Sequence, residues 1–470
     1  MFHSGECLKC GILRINFAMA PVTWYNGRMA KKRTRKSKKK KRIRFHRSFF
    51  LPFILTLTAA VALGVLALAA HQWIMEPVKT KKTDIVRSDH GNVTPRIDSA
   101  ASEEDEEQAG DGAEAAGTEK ETETESEIAS KYQEVLDDPA YMEENGIYVR
   151  EPAQPGRVTM TFAGDILFDT NYAIMGTVGS GGDISKGVMP EVIERMQASD
   201  IMMLNNEFAY SNRGTPIEEK QFTFRAKPET AAYLNDMGVD IVSLANNHAY
   251  DYGPDALTDT LDTLRETGIP YVGAGRDISE ARRPVYYIVG DIKIAFVSAT
   301  QIERLDTPDT KEATETSPGV FRCWNGEKLL ETIREAAANS DFVVAYIHWG
   351  TENVAELDWA QKKQAPELVA AGADLVIGDH PHCLQPIGVI QGVPVIYSLG
   401  NFWFNSKTLD TCMVEVVIDE TGIVSYQFIP CLQSGCRTTL LEGAEKERVL
   451  AYMRGISEGV RIDEEGFVSW

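Results

Sequence analysis

The stretch DIVSLANNHAYDYG, residues 240–253, places a short apolar run directly before a run of polar residues. Asp240–Ala245 has the length and composition of a buried strand. The helical pattern Pro254–Thr267 follows, and Pro254 suits a first helical turn because it lacks an amide hydrogen that would be unpaired there. A strand, a polar turn and a helix in this order form one unit of an α/β domain. His248 and its polar neighbours therefore lie where a strand ends.

The same alternation extends on both sides of this unit. Further strands are predicted at Val158–Ala163, Ile201–Asn205, Phe342–Ile347, Ala373–Ile377 and Val393–Leu399. Further helices are predicted at Met189–Ala198, Pro228–Met237, Glu327–Asn339 and Glu356–Ala371. Pro366 is expected to kink or split the last of these helices. Two predicted hairpins, Val285–Thr300 and Met413–Ile429, interrupt the alternation. The pattern predicts an α/β domain with mixed sheets covered by helices.

Polar side chains follow the carboxyl ends of these strands. They are Asp165, Glu207, His248, His348, His380, His382 and Asn401. Ligand sites of open α/β sheets lie beyond the carboxyl ends of the strands, so we expect these side chains to converge. The chain has eight histidines, and the four within residues 151–470 all belong to this set. Carboxylate, imidazole and amide ligands suit Mn, Fe or Zn, so the sequence predicts a site for one or two divalent cations. A pair of cations would activate water for an in-line displacement at phosphorus.

The motifs around these residues resemble a known family. They are FAGD at 162–165, NNE at 205–207, NNHAYDYG at 246–253, HWG at 348–350, GDHPH at 378–382 and SLGNF at 398–402. In their order and content, residues 158–404 resemble the CapA family of poly-γ-glutamate capsule proteins, within the calcineurin-like metallophosphatase superfamily. This resemblance implies a four-layer αββα sandwich.

The resemblance also implies a role for each matching residue. The implied metal ligands are Asp165, Glu207, Asn247, His348, His380 and His382. His248 matches the catalytic histidine that protonates the leaving group, and Asp251 would orient it. Two departures stand out: Asp165-Ile166-Leu167 replaces the superfamily's Asp-x-His, and Glu207 replaces its second aspartate. One cation position is therefore expected to be weak, differently built or empty.

Other residues near the motifs have less specific interpretations. Arg225 is a candidate for binding an anionic substrate bidentately, with a solvated loop charge as the alternative. Asn246 is interpreted as an Asx-type turn residue rather than a ligand. Gly164, Gly253, Gly378 and Gly400 are interpreted as tight-turn residues, with close approach of a substrate as the alternative.

The N-terminal third has a different composition. Residues 49–70, FFLPFILTLTAAVALGVLALAA, are uncharged and long enough to cross a bilayer as a helix. Twelve Lys/Arg lie in residues 31–47, so the positive-inside rule places the N-terminus in the cytoplasm. A cleaved signal peptide is the alternative, although the apolar run exceeds the usual length. The acidic segment that follows is too poor in large apolar residues to fold and is expected to be a disordered linker.

These features predict a domain order. It is a basic cytoplasmic tail at 1–48, a transmembrane helix at 49–70, an acidic extracytoplasmic linker at 71–150 with a short helical lead-in from 131, a CapA-like domain at 151–440 and a helical extension at 441–470. Cys431 and Cys436 would then face an oxidising exterior, where they are candidates for a disulfide. Residues 151–470 carry a net charge of −22, which argues against nucleic-acid binding because that requires a basic face.

Three functions are compatible with these observations. The first is a membrane-anchored, extracytoplasmic capsule or exopolymer synthesis protein with a metal-dependent hydrolase fold, acting on or holding an anionic envelope polymer such as poly-γ-glutamate. The second is a noncatalytic anchoring or binding component of a capsule synthesis complex. The third is a secreted metallophosphoesterase that acts on nucleotides.

Overall fold

A computed structural model describes residues 130–218, 220–302 and 310–470. The predicted basic tail, the transmembrane helix at 49–70 and most of the acidic linker lie outside these residues. Across the described ranges, no helix is both long enough and apolar enough to cross a membrane.

The described residues form short helices and many strands. The α-helices are α1 Gln133–Leu136, α2 Pro139–Asn145, α3 Pro190–Gln197, α4 Ala232–Asp236, α5 Pro254–Thr267, α6 Ile278–Arg282, α7 Glu327–Ala338, α8 Trp359–Ala371 and α9 Gly443–Ile456. The 3-10 helices are Ala173–Gly176, Ile184–Lys186 and Pro228–Ala231. The strands are β1 Ile147–Arg150, β2 Val158–Ile166, β3 Ile201–Asn206, β4 Ala209–Tyr210, β5 Arg225–Ala226, β6 Ile241–Ser243, β7 Tyr271–Val272, β8 Ala274–Gly275, β9 Val285–Val289, β10 Ile292–Thr300, β11 Gly319–Val320, β12 Phe342–His348, β13 Leu375–Asp379, β14 Ile387–Ile390, β15 Val393–Ile396, β16 Asn401–Trp403, β17 Leu409–Asp419, β18 Gly422–Ser434, β19 Arg437–Leu440, β20 Arg461–Ile462 and β21 Val468–Ser469.

Two large mixed sheets form the centre of the described domain. One has the strand order β1-β9-β10-β12-β13-β15-β14, in which β10, β12, β13 and β15 run parallel. The other has the order β19-β18-β17-β2-β3-β6-β7, with β16 pairing to β2. Strands β2, β3, β6 and β7 run parallel, whereas β17 and β18 form the long antiparallel hairpin. The predicted α/β class with mixed sheets is confirmed.

Alternating side chains on the central strands define the layers. Phe162 of β2 and Tyr346 of β12 belong to one apolar cluster, which therefore fills the space between the two sheets. The neighbouring Ile347 faces a second cluster with Leu368 of α8, on the outer side of its sheet. Leu204 of β3 faces a third cluster that includes residues of α3 and α5. Because strand side chains alternate between faces, each sheet is packed by the other sheet on one face and by helices on the other.

Several local features differ from the expectations. Helix α8 continues through Pro366, so the helix is not split. The predicted helix Pro228–Met237 is a 3-10 turn followed by α4. Residues 131–150 form α1, α2 and then β1, which pairs in parallel with β9 and extends the sheet upstream of residue 151. The five described cysteines are free thiols, so the disulfide considered for Cys431 and Cys436 is absent.

Candidate metal centre

Asp165 lies at the end of β2, where polar side chains from neighbouring segments reach its carboxylate. Its Oδ1 accepts a hydrogen bond from Asn205 Nδ2 at 2.8 Å, and its Oδ2 lies 3.0 Å from His382 Nδ1. Asn401 is its partner on the adjacent strand β16. The Asp165 side chain is fully buried. The strand-end carboxylate therefore faces the interior of the convergent site rather than solvent.

His348 ends β12 and connects several of the predicted ligands. Its Nε2 lies 2.8 Å from Asn247 Oδ1 and 3.1 Å from His380 Nδ1. Its Nδ1 lies 2.9 Å from Asp379 Oδ1, on the neighbouring strand β13. Asp379 was not predicted as a site residue, although it stands inside the GDHPH motif. One imidazole nitrogen thus faces candidate ligands, and the other contacts a carboxylate that fixes the ring orientation.

Glu207 is the most unusual group in the site. It is fully buried, and neither of its carboxylate oxygens has a hydrogen-bond partner among the described residues. Oε1 lies 3.8 Å from His348 Nε2 and 3.9 Å from His248 Nε2, which are distances too long for hydrogen bonds. An unpaired buried carboxylate is strongly unfavourable. The described residues therefore provide no hydrogen-bond partner for the Glu207 carboxylate.

The candidate ligands form three overlapping groups, and the donor atoms within each group lie within 4.8 Å of one another. They are Glu207, His348 and His380; Asp165, Glu207 and His382; and Asp165, His348 and Asp379. Carboxylate oxygens and imidazole nitrogens in such groups match the preferences of transition-metal cations. A cation would also pair the orphaned oxygens of Glu207, so the residues present fit a divalent metal. The six ligands predicted from the sequence are brought together.

The backbone at two of these histidines is strained. His380 has φ 91° and His382 has φ 55°, in a backbone region that residues other than glycine rarely adopt. Each such residue typically costs about 1–3 kcal/mol, so it persists only where the surroundings enforce it. Both flank Pro381 in the loop after β13, and both imidazoles lie in the donor groups. The strained turn aims two closely spaced imidazoles into one site.

The electrostatics of the protein without cations reflect crowded buried acids. Burial, together with the charges of neighbouring carboxylates, raises the pKa of Glu207 and of Asp379 well above their usual values. Burial also raises the pKa of Asp165, but the hydrogen bond and charge of His382 outweigh it, so the pKa is lowered. Burial lowers the pKa of His348 to about 3 and that of His380 well below its usual value. Neutral imidazoles are the form that binds metals.

His248 lies beside the donor groups, and Asp251 contacts its ring on the side away from Glu207. Its Nδ1 lies 2.7 Å from Asp251 Oδ2, so Nε2 faces Glu207. The Asp251 carboxylate also accepts hydrogen bonds from Lys220 Nζ at 2.6 Å and from the Phe224 amide at 2.7 Å. Lys220 Nζ also donates to the carbonyl of Asn247. Asp251 thus orients His248, as the resemblance implies, within a wholly buried network.

A cavity of about 320 Å³ opens beside the donor groups. His248, His382 and Asn401 line it on the inner side. Aromatic side chains form much of the remaining wall: the ring centroids of Phe224 and His248 are 4.2 Å apart, and those of Phe404 and His382 are 5.2 Å apart. The imidazoles of His248 and His382 thus face a cavity with a partly aromatic wall.

Arg225 does not join the convergent site. Its guanidinium lies 4.2 Å from the ring centroid of Tyr252, and its Nη1 donates to the carbonyl of Arg213 at 3.1 Å. Its backbone amide donates to Asp169. The residues that line the cavity do not include it. In this arrangement the guanidinium binds protein groups.

Comparison with known proteins places this chain in a family. Residues 159–406 match the family model described as "Bacterial capsule synthesis protein PGA_cap". The chain belongs to this family. The match spans the two sheets from β2 to β16 and includes every predicted metal ligand.

Curated relatives of this PGA_cap chain agree with the match. It is 30% identical over 279 residues to the "PGA biosynthesis protein CapA" of Bacillus subtilis (strain 168), covering 58% of this chain and 71% of that protein. It is also 30% identical over 305 residues to the "Capsule biosynthesis protein CapA" of Bacillus anthracis, covering 62% and 72%. A solved structure of a hypothetical protein from Thermus thermophilus is 14% identical, with a TM-score of 0.37, over 58% of this chain and 99% of that one.

Two residues that contact the candidate site were not predicted from the sequence. Asp379 ends β13, so the strand-end rule that identified the other candidate ligands applies to it as well. Lys220 has no such signal, because it lies in a loop and reaches Asp251 only through the fold. Motif position can reveal the first residue, whereas only the folded structure reveals the second.

Proposed function

We propose that this protein is a membrane-anchored, extracytoplasmic capsule or exopolymer synthesis protein that uses a metal-dependent hydrolase site on an anionic envelope polymer. Membership of the PGA_cap family supports the capsule assignment. The buried Glu207 carboxylate, without a partner among the donor groups, is the observation that carries the metal-dependent part. The layer order of helices and sheets is compatible with the metallophosphatase-like sandwich expected from the sequence.

The residues divide the proposed work between them. Asp165, Glu207, Asn247, His348, His380 and His382 would hold one or two divalent cations of Mn, Fe or Zn. Such cations supply Lewis acidity and lower the pKa of water. His248 holds a proton at Nε2 or accepts one there, because Asp251 occupies its Nδ1. Phe224 and Phe404 exclude water from one side of the cavity. We infer proton transfer by His248 to a leaving group of a phosphoester or amide-like bond.

The proposed location rests on the sequence. The apolar segment 49–70 and the twelve preceding Lys/Arg favour a single-pass anchor with its N-terminus in the cytoplasm. The main domain would then stand outside the membrane, where an envelope polymer is assembled. Fusion reporters placed after residue 30 and after residue 470 would test this orientation.

A direct experiment combines metal analysis with one active-site variant. The full-length wild type should hold at least about one manganese ion per chain after loading and desalting. His248→Gln should retain that metal but lose turnover of polymer or of model phosphoesters, since Nε2 no longer carries an exchangeable imidazole proton. Asn235→Ala, an exposed change on α4, serves as the control. A wild type without bound metal would exclude the metal-dependent enzyme, and a His248→Gln variant with full turnover would exclude proton transfer by His248.

A noncatalytic anchoring component is the second candidate. Leu167 favours it, because this buried apolar residue lines the cavity at the position where the superfamily resemblance leads us to expect an imidazole. In that case His248→Gln should support normal polymer display in cells. Loss of display with an intact metal content would instead favour the enzyme.

A further inference from the structure

The two main donor groups around Glu207 are not equally complete. Glu207, His348 and His380 form one group, and Asn247 Oδ1 lies 2.8 Å from His348 Nε2, which makes four donors. The other group has three: Asp165, Glu207 and His382. Protein-bound transition-metal cations usually have four or more ligands. The second position therefore needs another donor.

We propose that Asp379 is the fourth protein ligand of a cation held by Asp165, Glu207 and His382, an inference that rests on the proposed metal centre. Asp379 ends β13, is fully buried, and groups with Asp165 and His348 within 4.8 Å. Asp165 is common to this group and to the incomplete one. The carboxylate of Asp379 therefore lies next to the incomplete position, on the side of Asp165.

The contact that orients His348 uses only one of the two oxygens of the Asp379 carboxylate. Its Oδ1 lies 2.9 Å from His348 Nδ1, a contact that outer carboxylates often make to metal-binding imidazoles. Its Oδ2 is buried and has no hydrogen-bond partner among the described residues. A buried acceptor without a partner is unfavourable, and a cation would satisfy it.

The balance of charge points the same way. Asp165, Glu207 and Asp379 are all fully buried, and within the described ranges their ion-pair partners are histidines alone. Three clustered carboxylates without a lysine or arginine must bind protons or a cation to relieve their mutual repulsion. Coordination of one cation by all three would supply the compensating charge.

Asn401 is the competing donor. Its Oδ1 is also buried without a partner among the described residues, and it pairs with Asp165 across β2 and β16. An amide would complete the coordination number but would leave the Asp379 carboxylate uncompensated. Asp379 is favoured because it lies beside the incomplete donor group and because a cation there would compensate its charge.

The test uses manganese and the full-length chain with one cation position removed at a time. His380→Ala should remove the cation position at His348 and keep the one at Asp165. His382→Ala should remove the cation position at Asp165 and keep the one at His348. Asp379→Asn is then added to each, because asparagine keeps the size of the side chain and an acceptor for His348. Asn401→Ala in the His380→Ala background is the matched control. Manganese affinity is measured by calorimetry and stoichiometry by elemental analysis, with circular dichroism to verify the fold.

In the His380→Ala background, Asp379→Asn should lower manganese affinity more than about 100-fold, beyond the range typical of an outer carboxylate. In the His382→Ala background it should change affinity far less. The reverse pattern would show that Asp379 acts through His348 and would overturn the proposal. Retention of the ion in H380A/D379N with its loss in H380A/N401A would assign the position to Asn401 instead.

Two further results separate this inference from the proposed function. A wild type that binds manganese, combined with an H380A variant that binds none, overturns the Asp379 assignment but leaves a metal centre. If Asp379→Asn does not fold, anomalous diffraction from manganese-loaded wild type decides the question. A carboxylate oxygen of Asp379 about 2.2 Å from the ion supports the assignment, and a distance beyond hydrogen-bond range refutes it.

Discussion

Lys220 donates a hydrogen bond to the Asp251 carboxylate at 2.6 Å, and their side chains are 5% and 0% exposed. This buried ion pair joins the loop after β4 to the segment that carries His248. The Ile217 amide donates to the Asp251 carbonyl at 2.9 Å, and the Phe224 amide donates to the Asp251 carboxylate. A loop with little sequence pattern is thus fixed over the site at several points.

Lys220→Met should destabilise the protein by about 3–5 kcal/mol, because it leaves the Asp251 charge buried and unpaired. Urea unfolding would measure the change. Lys363→Met is the matched control: it removes an exposed lysine paired with Glu367 and should cost less than about 1 kcal/mol. Equal effects of the two substitutions would show that the Asp251 pair has no special importance.

Glu207→Gln should have opposite effects with and without metal. In a chelator it should raise the midpoint of thermal unfolding, because a neutral amide removes the cost of burying the unpaired carboxylate or of protonating it. With manganese, the wild type should gain about 2.7 kcal/mol at 100 times the dissociation constant, and the variant should gain much less. Glu415→Gln, at the Arg195 pair away from the site, should respond to manganese as the wild type does. A Glu207→Gln variant less stable than wild type in chelator would contradict this account.

His380→Gly should be more stable than His380→Ala by about 1 kcal/mol, because φ at this residue is 91° and glycine adopts it without strain. Chemical denaturation in chelator isolates this effect from metal binding. Gln391, with φ 53° in the turn between β14 and β15, offers the same comparison outside the site. If the alanine and glycine variants are equally stable at both positions, backbone strain does not contribute significantly to stability.

Gly164→Ala should cost about 1–3 kcal/mol and weaken metal binding, because its Cβ would overlap the Gly400 carbonyl. That overlap would push β16 away from Asp165. Gly181→Ala is the control, since a Cβ there has no close neighbour and the residue has no positive φ. Thermal melting and manganese titration would report the two effects, and a neutral Gly164→Ala would refute the predicted overlap.

The attachment of the N-terminal lead-in should weaken in acid. Partial burial would raise the pKa of Asp341, but hydrogen bonds from the Lys293 amide and Tyr132 and the charge of Lys131 outweigh it, so the pKa is lowered. A carboxylate with a lowered folded pKa stabilises above its unfolded value of 3.8 and loses this contribution as pH falls through the folded pKa. The protection factors of residues 131–137 against hydrogen exchange, which correct for the intrinsic pH dependence of amide exchange, should therefore fall below about pH 4. Asp341→Asn should have low protection factors at every pH, and wild-type protection factors that do not change with pH would contradict the prediction.

The strand ends were predictable because apolar runs and the polar residues after them mark the same edge of the sheets. This rule identifies Asp165, Glu207 and His348 from the sequence alone. The Asx-type turn also holds, since Asn246 Oδ1 accepts the His248 amide at 3.0 Å. Local chemistry suffices for such features.

Other features depend on packing and were not predictable. Gly253 and Gly400 have positive φ, as turn residues do, but a Cβ at Gly164 or Gly378 would overlap a carbonyl of a neighbouring segment. Close approach of a neighbouring backbone carbonyl, which neither the turn interpretation nor close approach of a substrate predicted, therefore explains the last two. Pro366 likewise does not split α8, because a proline's local preference is weaker than the packing of the whole helix.

The Glu207 carboxylate is common to two donor groups, and this sharing makes their occupancy interdependent. A first ion would draw the carboxylate into place and reduce the repulsion between the neighbouring carboxylates. A second ion would then meet donor groups that are already organised, so its apparent affinity would depend on the first. Loading should consequently be cooperative, with few half-filled molecules at intermediate ion concentrations.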